Sequence, residues 1–187
     1  MNAYHVMLVH FPIALWTTAF LLILARALSD APLVRAAEGA LTPLLAFGAL
    51  TGALAFVVGL LVWPPEAVAS SPLARNHVLL ASWSLAYWTL LWLLRWRAGA
   101  RAWEGIARWI MLVLAGLGVG LQTLTGTLGG YLAGNPSAVS DIVRKFGWEV
   151  FTTFYLPDWM LGVVVFAALI LAGIGVAGSR ASAGRAA

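Results

Sequence analysis

Five long apolar runs, separated by short polar breaks, organise this chain; they cover about 4–28, 39–62, 77–94, 106–132 and 156–178. Each approaches the ~20 residues that an α-helix needs to cross ~30 Å of hydrocarbon. The breaks carry helix-stopping residues: Ser29-Asp30-Ala31-Pro32, Trp63-Pro64-Pro65-Glu66, Arg95-Trp96-Arg97 and Gly134-Asn135-Pro136. A different pattern occupies about 137–155. There Val139, Ile142, Val143, Phe146, Val150, Phe151 and Phe154 recur at helical spacing opposite Asp141, Arg144, Lys145 and Glu149. This predicts an amphipathic helix on the outer surface, either a lid on the bundle or a docking site for a partner. The tail, 179–187, is small and basic and is expected to be disordered. No internal repeat and no soluble domain stand out, so residues 1–178 read as a single all-α integral membrane bundle of five transmembrane helices.

Composition sharpens that reading. Of 187 residues, 62% are apolar and 10% charged, against roughly 25% charged in a soluble domain. The formal charge of +4 needs no nucleic acid to explain it, because arginines at helix ends fix the orientation of a membrane protein. With the N-terminus outside, Arg26, Arg35, Arg95, Arg97, Arg101, Arg108, Arg180 and Arg185 lie inside, and only Arg75, Arg144 and Lys145 outside. That bias predicts N-out, C-in. Basic residues that are nearly all arginine, with abundant Ala and Gly, point to a GC-rich bacterium and hence to its inner membrane. The first run lacks a basic leader and holds two histidines, so it reads as a retained helix rather than a signal peptide.

The absence of cysteine excludes iron–sulfur clusters, covalent c-type haem, disulfides and thiol nucleophiles from this chain. Three histidines remain, and an ionisable ring within the hydrocarbon marks a functional site. His5 and His10 begin the first span and His77 the third, so all three fall at the outer face. His10 lies about 7–8 Å deeper than His5 and is turned from it by roughly 140°. A bis-imidazole haem takes one histidine from each of two helices at similar depth, so His10 and His77 are the expected axial ligands. His5 is then expected to hydrogen-bond a propionate or a quinone. Gly126, Gly129 and Gly130 offer room for a macrocycle, although small residues equally serve ordinary helix packing. Arg75 can pair with propionates or snorkel to the interface. Met7 and Met160 keep a His/Met haem open. Trp16, Trp63, Trp83, Trp88, Trp92 and Trp159 read mainly as an interfacial belt. Gln122 and Asp158 are the remaining polar groups of interest. Since no histidine lies near the inner face, one outer haem b is the most that the chain can hold by two histidines, which suits quinol oxidation or electron transfer to an outer partner.

The opening His5-Val6-Met7-Leu8-Val9-His10-Phe11-Pro12-Ile13-Ala14-Leu15 resembles the start of the bacterial membrane family catalogued as domain of unknown function 2231. The likeness continues through Gly59 and Trp63, the helix entered by His77, and Gly126-Thr127-Leu128-Gly129-Gly130, covering roughly residues 4–132. It departs at Val6, where the family usually has proline, and at Tyr131-Leu132-Ala133-Gly134-Asn135, which replaces a His/Gly-rich stretch. The fifth helix is extra. Some family members are joined to c-type cytochrome domains, so the resemblance implies redox company and singles out His5, His10 and His77. The expected function is therefore a membrane-anchored b-haem subunit of a respiratory or photosynthetic complex, not an enzyme alone, with lipid, other subunits and an outer c-type cytochrome as partners. Two other readings remain open: a structural or assembly subunit without cofactor, and a sensor or handler of one metal ion held by the three histidines.

Overall fold

The computed structural model describes residues 2–149 together with the helical residues 162–163, 165–167, 169–170 and 173–174. Among these residues the secondary structure is entirely helical. The helices are α1 (Asn2–Leu28), α2 (Pro32–Glu38), α3 (Leu41–Leu60), α4 (Pro65–Ser70), α5 (Pro72–Ala98), α6 (Ala107–Leu132) and α7 (Ala138–Lys145), with a 3₁₀ turn at Gly99–Trp103 between α5 and α6. Four segments among the described residues are long and apolar enough to cross a membrane: Ala3–Leu28, Pro32–Leu60, Pro72–Trp103 and Ala107–Leu132. This is the architecture of a multi-pass membrane protein. Most of the expected fifth span, 156–178, lies outside the described residues, as do 150–155 of the expected surface helix and the tail 179–187.

Local chemistry sets the helix ends. Pro32, Pro65 and Pro72 each stand in a first turn, where the missing N–H costs no helical bond and the fixed φ suits the helix. Ser71 caps α5 by accepting from the Ala74 amide at 3.2 Å. Because the cap comes first, α5 starts at Pro72 and carries Arg75 and Asn76 ahead of His77; hydropathy alone begins that helix at His77. Gly99 (φ +54°) and Gly134 (φ +75°) follow α5 and α6 in backbone conformations that favour glycine.

α1 packs on α3 and α6, and α5 packs on the same two helices, so α1 and α5 share one diagonal of a four-helix bundle and α3 and α6 the other. The centre holds Trp16 and Trp88, both buried, stacked at 5.3 Å with an 8° interplanar angle. These two tryptophans therefore belong to the core and not to an interfacial belt, whereas Trp63 and Trp83 are exposed. Glycines admit the indoles. A Cβ on Gly52 would fall 2.9 Å from Trp16 Cη2, one on Gly118 2.9 Å from Trp88 Cε2, and one on Gly48 would overlap the Trp16 ring. A smaller cluster of Leu73, Leu80, Leu128, Val143 and Trp148 covers the α5–α6 pair at the end bearing the histidines. α7 thus packs as a lid through Ser140 and Val143, leaving Ile142 and Phe146 exposed.

Candidate functional site

The three histidines do not converge on one point. His5 Nδ1 lies 3.0 Å from the Ala55 carbonyl on α3, and its ring covers Gly59, whose Cβ would fall 2.7 Å from His5 Cε1. His77 Nδ1 lies 3.1 Å from the Thr125 carbonyl on α6, and a Cβ on Gly129 would fall 3.1 Å from His77 Cε1. The two rings stand on the diagonal helices α1 and α5, each held against its neighbouring helix. His10 is exposed on the far side of α1, with Nδ1 2.6 Å from the Val6 carbonyl one turn back on its own helix.

The structure therefore matches His77 with His5 in level and in hydrogen bonding, while the sequence pairs it with His10. The reason is the level and the azimuth of each ring. His5 and His77 each precede a stacked tryptophan by eleven residues, about 16 Å along a helix, so they stand at one level. The ~140° turn between His5 and His10 then leaves His10 facing outward.

A carbonyl only accepts, so each Nδ1 donates, and in the neutral ring Nε2 keeps its lone pair. This is the tautomer of metal-ligating histidines, whose second nitrogen is commonly tied to a carbonyl. The glycine signals divide. Gly129 seats His77, Gly130 admits the Asn135 carbonyl (2.8 Å from its would-be Cβ), and Gly126 faces open space. Gly59, absent from the expected site, is the counterpart of Gly129 and seats His5. Arg75, in the first turns of α5, is partly exposed and engaged in an interaction. Met7 is exposed on α1, and Met160, Asp158 and Trp159 lie outside the described residues. Gln122 is buried and ties α6 to α1, its Nε2 donating to Thr17 Oγ1 at 3.0 Å.

The opposite end holds a cluster that positive-inside counting treats only as charge. Glu38 accepts from Arg26 Nε at 2.9 Å, from Arg95 Nη2 at 2.8 Å and from Trp103 Nε1. Both guanidinium groups lie over the Trp103 ring, at 5.4 and 5.5 Å. Arg26 and Arg108 also hold Asp30, whose carboxyl is kept below the usual range chiefly by its hydrogen bond from Arg26. Two acids, Asp30 and Glu38, following the arginine-ended α1 are the sequence signal for this cluster. Apart from Arg95 Nε, which is buried without a partner, its groups bond one another, so it reads as a clasp on α1, α2, α5 and the 3₁₀ turn rather than as a ligand site.

Comparisons with protein-family models, with curated proteins and with solved structures returned no match.

Proposed function

We propose that this chain is a membrane-anchored electron-transfer subunit holding one b-type haem between His5 and His77, at the periplasmic face of a bacterial inner membrane and within a larger redox complex. The observation that carries the reading is the pair of imidazoles on diagonal helices, each with Nδ1 committed to a carbonyl and Nε2 left for a ligand. The donor set favours a macrocycle over a bare ion. A structural zinc ion asks for about four protein ligands, and no group of three or more His, Cys, Asp or Glu side chains able to hold an ion occurs among the described residues. A porphyrin brings four nitrogens and asks the protein for two.

When bound, haem supplies a one-electron couple; the chain's own residues position and shield it. The bonds to Ala55 and Thr125 fix the two rings, and Gly59 and Gly129 leave room for them. The cluster of Leu73, Leu80, Leu128, Val143 and Trp148 keeps water from the His77 side. Arg75, two residues before His77, offers positive charge to propionates at the rim. His10, exposed on α1, is left to meet a quinone or a neighbouring subunit. The arginines at the other end of the spans support the N-out orientation. The resemblance to the family with cytochrome-linked members supports redox partners, a c-type cytochrome among them.

A structural or assembly role is the second reading, because the same two histidine bonds tie α1 to α3 and α5 to α6. Reduced-minus-oxidised visible spectra of the chain, purified in mild detergent after expression with added haem, separate the two. The redox reading expects a b-type α band at one haem per chain. A colourless, folded protein would leave the structural reading.

A further inference from the structure

The functional residues occur twice at constant spacing. Moving α1 along the chain by 72 positions brings His5 onto His77, Val6 onto Val78, Leu8 onto Leu80, Ala14 onto Ala86, Trp16 onto Trp88 and Thr17 onto Thr89. Moving α3 by 70 positions brings Gly48 onto Gly118, Ala55 onto Thr125 and Gly59 onto Gly129. Each equivalence is also a physical one. The histidine of each copy bonds the carbonyl at the second position and seats on the glycine at the third. The tryptophan of each copy seats on the first glycine, and the two tryptophans stack on one another. Burial repeats as well: Leu45 and Ala115, Leu41 and Met111, Ala19 and Leu91 are buried in matching places. One span, α3, separates α1 from α5, so both hairpins run in the same direction, as in parallel repeats related by an axis along the membrane normal.

We propose that the bundle is a tandem duplication of one histidine-bearing helix hairpin, α1–α3 and α5–α6, and that His5 and His77 form a single site on the two-fold axis between the copies, taking one metal centre through their two Nε2 atoms. Each hairpin is half a site: it supplies one imidazole, one fixing carbonyl, one glycine seat and one tryptophan beneath. The ligand class would be a metal centre that takes two imidazole nitrogens from the chain. Its identity as haem rests on the redox reading above, while the symmetry of the site does not. The proposal stands against the expectation of no internal repeat. The repeat escapes hydropathy because the α3 and α6 copies share few residues beyond their glycines.

The chain has no cysteine, so paired cysteines report the geometry without background and without haem. The full-length double variant His5→Cys with His77→Cys is treated with a short bifunctional maleimide and weighed by mass spectrometry. The expected product is one linker closing both thiols within a chain, while His10→Cys with His77→Cys takes two separate linkers. A second matched pair, Pro12→Cys with Ser84→Cys, both buried a turn from the stacked tryptophans, must close in the same way and serves if the histidine pair does not fold. Closure in the matched pairs of a protein that binds no haem upholds the duplication and removes only the haem reading. Closure of the His10 pair in preference to both matched pairs overturns the duplication, even in a protein that binds haem.

Discussion

At the scale of single residues, hydrogen bonds decide what each polar side chain does in an apolar bundle. His5 and His77 each commit one nitrogen to a carbonyl of a neighbouring helix, whereas His10 bonds within its own turn. Glu38 joins two arginines and an indole at the other end, with its side chain 17% exposed and those of Arg26 and Arg95 at 10% and 9%. Removing one partner of such a group leaves charge without compensation, which costs about 3–5 kcal/mol. Glu38→Gln is therefore expected to destabilise the bundle by about 3 kcal/mol, the lower end because Arg26 keeps Asp30. Thermal unfolding in detergent checks it, and a midpoint within a degree of wild type would show that the clasp contributes little. The haem spectrum of this variant should be unchanged, since the clasp lies at the far end of the spans.

At the scale of elements, glycine placement separates packing from accident. Gly48 and Gly52 seat Trp16, and Gly118 seats Trp88, while Gly116, Gly120 and Gly126 meet nothing within 4 Å. Gly48→Ala puts a methyl group into an indole that is stacked on Trp88 and has no room to retreat; overpacking of this kind costs about 1–3 kcal/mol. Gly120→Ala should be neutral or slightly stabilising, because alanine is the better helix former by about 1 kcal/mol. Equal unfolding midpoints for the two variants would contradict the packing described. The four long spans were legible in the sequence because apolar length alone specifies them. The start of α5 was not, because its first turns, through Asn76, carry polar residues and are set by the Ser71 cap and Pro72. The partner of His77 changed from His10 to His5 for another reason, the ~140° turn that leaves His10 exposed.

At the scale of the whole molecule, the bundle is built around an axis, with the histidine pair at one end, stacked tryptophans in the middle and the Glu38 clasp at the other end. The sequence made the histidines conspicuous, since ionisable rings are scarce in apolar spans. It concealed their pairing, which depends on how two hairpins face each other, and it left Trp16 and Trp88 looking like interfacial residues. The repeated H-V-x-L and A-x-W-T were readable once aligned, but they are scattered among apolar residues that any membrane helix offers. The central claim, that His5 and not His10 shares the ligand with His77, is tested most directly by haem content per chain in the folded single variants His5→Ala, His10→Ala and His77→Ala. The account predicts that His5→Ala and His77→Ala each abolish the low-spin b-type spectrum and that His10→Ala retains it at wild-type stoichiometry. Loss in His10→Ala with retention in His5→Ala would contradict it.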